Sequence, residues 1–157
     1  MNPNSAATPA HPPVSDDLPT PRILVVDDNE SIRRFLAHFF KLEALSAEII
    51  ESPHIALERF RAAPQDFSLL LTDCEMPGMT GLELARRIRS TRADLPMILF
   101  STSVTVLGPE QFITAGFSAA LPKPVALDKL RATIREVLAT AVPLPASTPS
   151  QPCLTPA

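Results

Sequence analysis

Cysteine, basic charge and long apolar runs are all scarce in this chain, and each shortage excludes a class. Two cysteines in 157 residues, Cys74 and Cys153, cannot build a disulfide framework, so a reducing compartment is expected. The formal net charge is −3, which argues against a basic nucleic-acid-binding protein. No apolar stretch reaches the roughly 18 residues of a membrane span. The first 21 residues carry no basic segment and no continuous apolar core, so they do not read as a signal peptide. A soluble protein of the cytoplasm is the expectation.

Proline is abundant. Of 18 prolines, six lie within residues 1–21 and five after Ala141, leaving seven between. Residues 1–21 and 140–157 are therefore read as disordered Pro-rich tails around one domain at 22–139. The tails read as tethers: no P-x-x-P cluster with flanking arginines marks them as ligands of a partner. Neither is expected to hold a further catalytic or DNA-binding domain. All 14 Lys and Arg fall between Arg22 and Arg135, and the core carries 14 positive and 15 negative charges, a net of −1.

Within the core, buried-strand and helix patterns alternate. Ile23–Val26 is a continuous β-branched and aliphatic run, as in a strand covered on both faces, and it ends at Asp27-Asp28. Helical period follows over Ser31–Leu45, with Ile32, Phe35, Leu36 and Phe39 as the apolar stripe. Ala47–Glu51 is a short strand candidate, and Pro53 suits the first turn of a helix reaching about Ala63. Phe67–Thr72 is a third strand ending at Asp73. The break at Met76-Pro77-Gly78 precedes a helix marked by Leu82, Leu84, Ala85 and Ile88. Met97–Phe100 is a fourth strand ending at Ser101, Pro109–Ala115 a short helix closed by Gly116, and Ala119–Leu121 a weak fifth strand. Leu127, Leu130, Ile134, Val137 and Leu138 form the stripe of a last helix.

This is a (βα)5 pattern. It predicts an α/β fold of three layers, a doubly wound parallel sheet with helices on both faces. Sites in such sheets lie outside the carboxyl ends of the strands. That rule selects Asp27 and Asp28 after strand one, Asp73 after strand three, Ser101 after strand four and Lys123 just past strand five. Three carboxylates brought together need a counter-charge, and an oxygen-only set favours a hard divalent ion such as Mg2+. Mg2+ takes phosphate oxygens, an ammonium spreads phosphoryl charge, and a carboxylate can be the nucleophile that forms an aspartyl phosphate. The chemistry alone thus points to a Mg2+-dependent phosphoryl site with an Asp acceptor.

The core also resembles the receiver domain of two-component response regulators. Val25-Val26-Asp27-Asp28 resembles its acidic pair, and Asp73-Cys74-Glu75-Met76-Pro77-Gly78-Met79-Thr80-Gly81 its phosphoacceptor block, D-x-x-M-P-x-M-x-G. Ser101 follows Asp73 by 28 residues, and Lys123-Pro124 comes 22 later, as in the family. The wording of the block looks most like receivers attached to hybrid sensor kinases. The resemblance implies a flavodoxin/CheY-like strand order of 2-1-3-4-5. It further implies that Asp73 accepts phosphate from the phosphohistidine of a histidine kinase or histidine phosphotransfer protein. In the implied site Asp28 binds Mg2+ directly, Asp27 through water, and Glu75 through its backbone carbonyl, its side chain standing near the phosphoryl. Ser101 would hydrogen-bond the added phosphoryl, Lys123 would pair with it, and Pro124 would follow a cis peptide. The implied protein is no enzyme beyond self-catalysed phosphotransfer and autodephosphorylation. It would be a stand-alone receiver that relays phosphate or signals to a downstream protein, with no nucleic-acid or membrane partner.

Alternatives remain open. The fold could serve as a binding module without phosphorylation, or the chain could be a fragment of a hybrid histidine kinase. A Mg2+ phosphatase with an Asp nucleophile fits poorly, since such enzymes resemble D-x-D on an early strand. The partner face is expected on the first helix, at Arg33, Arg34, Ala37 and Phe40, with core packing as the rival role for Phe40. Arg86, Arg87, Arg89 and Arg92 read as a solvated helix face, Cys74 as a bystander thiol, and His11, His38 and His54 as surface residues. The family's aromatic switch position holds Ala120, which has no rotamer to turn, so output is expected through the loop Thr102–Gly108, with Val104, Val106 and Leu107.

Overall fold

The computed structural model describes residues 21–105 and 108–141. Five strands alternate with five helices: β1 Arg22–Val26, α1 Glu30–Leu42, β2 Ser46–Ile50, α2 Pro53–Ala62, β3 Leu69–Thr72, α3 Gly81–Thr91, β4 Met97–Ser101, α4 Pro109–Ala115, β5 Ala119–Pro122 and α5 Leu127–Ala141. Short 3-10 turns at Pro64–Asp66 and Thr102–Thr105 complete the chain. The strands form one parallel sheet in the order β2-β1-β3-β4-β5. Helix α5 runs to Ala141, and most of both Pro-rich tails lies outside the described residues.

The apolar runs are continuous because each strand feeds two cores. Along β1, Leu24 and Val26 point to one side, while Ile23 and Val25 point to the other. The first side is closed by Ala56, Leu57 and Phe60 of α2 and by Leu84, Ala85 and Ile88 of α3. The second is closed by Leu36, Phe39 and Phe40 of α1 and by Leu130, Ile134 and Val137 of α5. With every β1 residue from Ile23 to Val26 buried, removal of a side chain on either face loses about 1.5–3 kcal/mol of burial. The central strands are thereby fixed, and their carboxyl ends open on one rim.

Helix α1 is rotated slightly from its expected facing. Phe35, read as part of the stripe, is 37% exposed, whereas Phe40 is 2% exposed and meets Phe39 edge-on at 5.3 Å. Phe40 is thus a core residue and not a docking one. Ion pairs from Arg131 and Arg135 of α5 to Glu43, just past α1, tie these two helices together. The Arg131 guanidinium holds the Glu43 carboxyl below the ordinary carboxylate range.

Two of the four arginines in and just past α3 depart from the solvated-face reading. Arg89 donates to the carbonyls of Ala93 and Gly116, and Arg92 to those of Pro64 and Phe67. Arg86 and Arg87 are exposed as expected. Gly116, just past α4, has φ +80°, which favours glycine, and a Cβ there would also push aside the Arg89 guanidinium that bonds its carbonyl.

Candidate functional site

Asp73 is carried on the end of a fully buried strand and held by its backbone. Its N–H donates to the Val26 carbonyl at 2.9 Å, and its carbonyl accepts from Thr72 Oγ1 at 3.0 Å. The following loop is anchored by Met76 and Met79, both buried in the core beneath α2 and α3. Gly78 turns the loop at φ +81°. Gly81 then starts α3 so close that a Cβ would lie 1.9 Å from the Asp73 carbonyl oxygen. Thr80 and Glu83 close the helix start with a reciprocal capping box. Every fixed letter of the block D-x-x-M-P-x-M-x-G other than Pro77 is therefore accounted for by anchoring, turning or close approach around Asp73.

The acidic pair is held as firmly. Asn29 caps α1, accepting from the N–H groups of Ser31 at 2.9 Å and Ile32 at 3.3 Å. Its own N–H donates to Asp27 Oδ1 at 2.8 Å. Arg33 reaches back one turn and donates to the carbonyls of Asp27 at 3.0 Å and Asp28 at 2.7 Å, with Glu51 alongside at 3.2 Å. The Arg33 guanidinium is thus engaged with the β1–α1 loop and with Glu51. Arg34, paired with Glu30, and Ala37 do stand exposed on α1.

These elements bring three carboxylates together: oxygens of Asp27, Asp28 and Asp73 lie within 4.8 Å of one another. Asp27 is fully buried, Asp73 is 9% exposed and Asp28 is open to solvent. Lys123 sits between the two deeper acids, its Nζ 2.6 Å from Asp27 Oδ2 and 3.3 Å from Asp73 Oδ1. The ammonium also lies over the Phe100 ring at 5.1 Å. Burial pushes the Asp27 carboxyl up, against the lowering pull of Lys123 and the Asn29 N–H. One ammonium among three acids leaves a net charge of −2 when all are ionised, and the atoms that the three acids offer a metal are all carboxylate oxygens. That donor set suits a hard divalent cation.

The other side of the rim is made by Ser101 and Lys123. Ser101 is 1% exposed, and the Lys123 N–H donates to its carbonyl at 3.1 Å. The Lys123–Pro124 peptide is cis, as the resemblance implied. The Ser101 hydroxyl accepts from the Ser103 N–H at 3.2 Å, and the Ser103 hydroxyl donates to Glu75 Oε1. A cleft of about 680 Å3 opens over the site, lined by Asp28, Asn29, Asp73, Glu75, Thr102 and Lys123 among others. All six predicted site residues thus gather on one rim. Sequence reasoning missed Asn29, Arg33 and Ser103. An Asn ahead of a helical stripe was a legible cap signal. The partners of Arg33 and Ser103 are set by tertiary packing and had no periodic signature.

Cys74 is buried beside the acceptor, and burial together with Asp73 and Glu75 raises its thiol. A thiol held in that way is inert, in keeping with a bystander.

A doubly wound sheet whose carboxyl-end rim joins three acids, a lysine and a strand-end serine defines a narrow class of protein. The family model for the response regulator receiver domain matches residues 23–135, and the chain belongs to that family. Response regulator MprA of Mycolicibacterium vanbaalenii is 34% identical over 122 residues, covering 78% of this chain and 52% of that protein. The MprA of Mycobacterium leprae is 36% identical over 117 residues, covering 74% and 50%. The chain therefore spans about half the length of these curated relatives. Among solved structures, response regulator TrrA of Thermotoga maritima, in complex with Mg2+ and BeF, superposes with a TM-score of 0.68 at 29% identity, over 74% of this chain and 98% of that one. A receiver protein of Pseudomonas putida gives 0.66 at 30%, over 74% and 96%. Among the described residues no helix is long and apolar enough to cross a membrane.

Proposed function

We propose that this receiver accepts a phosphoryl group onto Asp73 from the phosphohistidine of a histidine kinase or phosphotransfer protein, in the cytoplasm, and signals by protein contact. The observation that carries this reading is the convergence of Asp27, Asp28 and Asp73 with Lys123 bridging the two deeper acids. An Asp73 carboxylate oxygen forms the new bond to phosphorus as the bond to the donor nitrogen breaks. The imidazole leaves with the electron pair of that bond. Asp28, Asp73 and the Glu75 backbone carbonyl would hold Mg2+ directly, with Asp27 acting through water. The ion supplies charge neutralisation for the phosphoryl oxygens. Lys123, already 3.3 Å from Asp73 Oδ1, pairs with the phosphoryl as a point charge. Ser101 becomes a hydrogen-bond donor to it. The chain is a phosphoacceptor whose own catalysis is limited to self-phosphorylation from donors and to hydrolysis of its phosphoaspartate.

Incubation with acetyl phosphate and Mg2+ tests the reading by mass. The expected result is a single added phosphoryl group that requires Mg2+ and is absent in Asp73→Asn. No addition, or addition that persists in Asp73→Asn, contradicts it.

Ala120 favours a second reading, a binding module that works without phosphorylation, because the strand position expected to carry a rotating aromatic holds a methyl group. A protein that takes phosphate on Asp73 yet binds its partner equally in both states would fit that reading. Output through Thr102–Gly108 is proposed for either case. Val104 there is partly buried, while Val106 and Leu107 lie outside the described residues.

A further inference from the structure

We propose that Ser103 is a positioning residue, a latch that holds the β4–α4 turn in its resting state through Glu75 and opposes the engagement of Ser101 with a phosphoryl group. The inference rests on the phosphoacceptor reading above. The Ser101 backbone is pinned, since it ends β4 and its carbonyl accepts from the Lys123 N–H. Only its side chain and the turn after it are free to change. At rest the Ser101 hydroxyl accepts from the Ser103 N–H, two residues on. Moving that oxygen toward Asp73 carries it away from Ser103 and leaves the Ser103 N–H, within the Thr102–Thr105 turn, without its acceptor.

That turn cannot simply follow. The Ser103 hydroxyl donates to the Glu75 carboxylate across the mouth of the cleft, a charge-assisted bond between residues 28 apart in sequence. Glu75 is exposed, but its backbone is fixed between buried Cys74 and buried Met76. The Ser103–Glu75 bond therefore ties a movable turn to an immovable loop. Phosphoryl engagement has to break it, or leave the Ser103 N–H unpartnered. Either cost lowers the population of the engaged state.

The probe is beryllium fluoride with Mg2+, with binding to the full chain measured by calorimetry, because the sequence has no Trp or Tyr to report by fluorescence. Ser103→Ala is expected to bind it about fivefold more tightly than wild type, the worth of one partly solvated hydrogen bond to a charged group. Glu75→Ala should also bind more tightly, and it keeps the test open if Ser103→Ala folds poorly. Ser103→Thr, which keeps the hydroxyl, should stay within about twofold of wild type. Adding Ser103→Ala to Glu75→Ala should bring no further gain, because the latch is already open. A merely structural role would lower the melting temperature without tightening the probe. Unchanged or weaker binding in Ser103→Ala, or the same gain in the absence of Glu75, overturns the latch while leaving the acceptor reading intact. A wild-type chain that binds no more beryllium fluoride than Asp73→Asn overturns both.

Discussion

The two halves of the rim are held in different ways. On the β1 and β3 side, Asp27, Asp28 and Asp73 are fixed by backbone hydrogen bonds, by the Asn29 cap, by Arg33 on two carbonyls, and by Met76, Met79 and Gly81 under the acceptor loop. On the β4 and β5 side, the Ser101 hydroxyl accepts from the Ser103 N–H, the Ser103 hydroxyl donates to Glu75, and β5 contributes Ala120, paired with Leu99 of β4. The first half has many supports for each functional atom. In the second, Lys123 is held by the two deeper acids, but the Ser101 hydroxyl depends on one chain of contacts through Ser103 to Glu75. A group that must accept a metal and a phosphoryl gains from preorganisation. A group that must report whether the phosphoryl is present has to be able to move, and fewer contacts make that less costly.

Substitutions that attack packing should not discriminate between the halves, whereas substitutions at the rim should. The largest effect is expected from Phe40→Ala. Loss of a buried phenylalanine between α1 and the sheet should cost about 3–5 kcal/mol in denaturant unfolding. Phosphorylation per folded molecule should be unchanged. Lost phosphotransfer with an unaltered unfolding midpoint would return Phe40 to the docking face.

Gly81→Ala comes next and breaks the well-supported half. Its methyl group would collide with the Asp73 carbonyl, so a loss of about 1–3 kcal/mol is expected, together with slower phosphorylation by acetyl phosphate. Full activity in that variant would show that the acceptor loop has slack that the close approach denies.

Smaller still is Thr80→Ala, which removes the cap of α3 at a cost of about 1 kcal/mol near neutral pH. The Thr80 backbone N–H and hydroxyl lower the Glu83 carboxyl below its unfolded value. A depressed carboxyl contributes stability above its unfolded pKa and loses it as pH falls through the folded one. The gap between wild type and Thr80→Ala should therefore narrow on acidification below about pH 4.3. A gap independent of pH would show that the Thr80 hydroxyl, as distinct from the backbone N–H that alanine keeps, has no part in lowering Glu83.

Thr102→Ala probes the looser half with the least structural disturbance. Thr102 is exposed and lines the cleft. Its replacement should change stability by less than about 0.5 kcal/mol while speeding hydrolysis of the phosphoprotein, since a β-branched side chain beside the opening narrows the path of water. Decay that is unchanged or slower sinks that role.

The same contrast explains what the sequence could disclose. Strands covered on both faces announce themselves as apolar runs, and the acids at their ends follow from the carboxyl-end rule, so Asp27, Asp28, Asp73, Ser101 and Lys123 are legible in the sequence alone. The facing of α1 was less so. Phenylalanines at 35, 39 and 40 allow two stripes one residue apart, and only contact with α5 and the sheet buries Phe40 and leaves Phe35 out. Arg33, Arg89 and Arg92 looked like surface charge because their carbonyl partners lie in other segments. Ser103 and Glu75 meet only because β3 and β4 are neighbours in the sheet.

The acceptor proposal stands or falls on whether a carboxylate oxygen of Asp73 takes the phosphoryl group on this rim. The most direct measurement is borohydride reduction of the acetyl-phosphate-treated protein, which converts an acyl phosphate to an alcohol, followed by peptide mapping by mass. Homoserine is expected at Asp73 alone, and only when Mg2+ was present. Reduction at Asp27 or Asp28, or none anywhere, would contradict it.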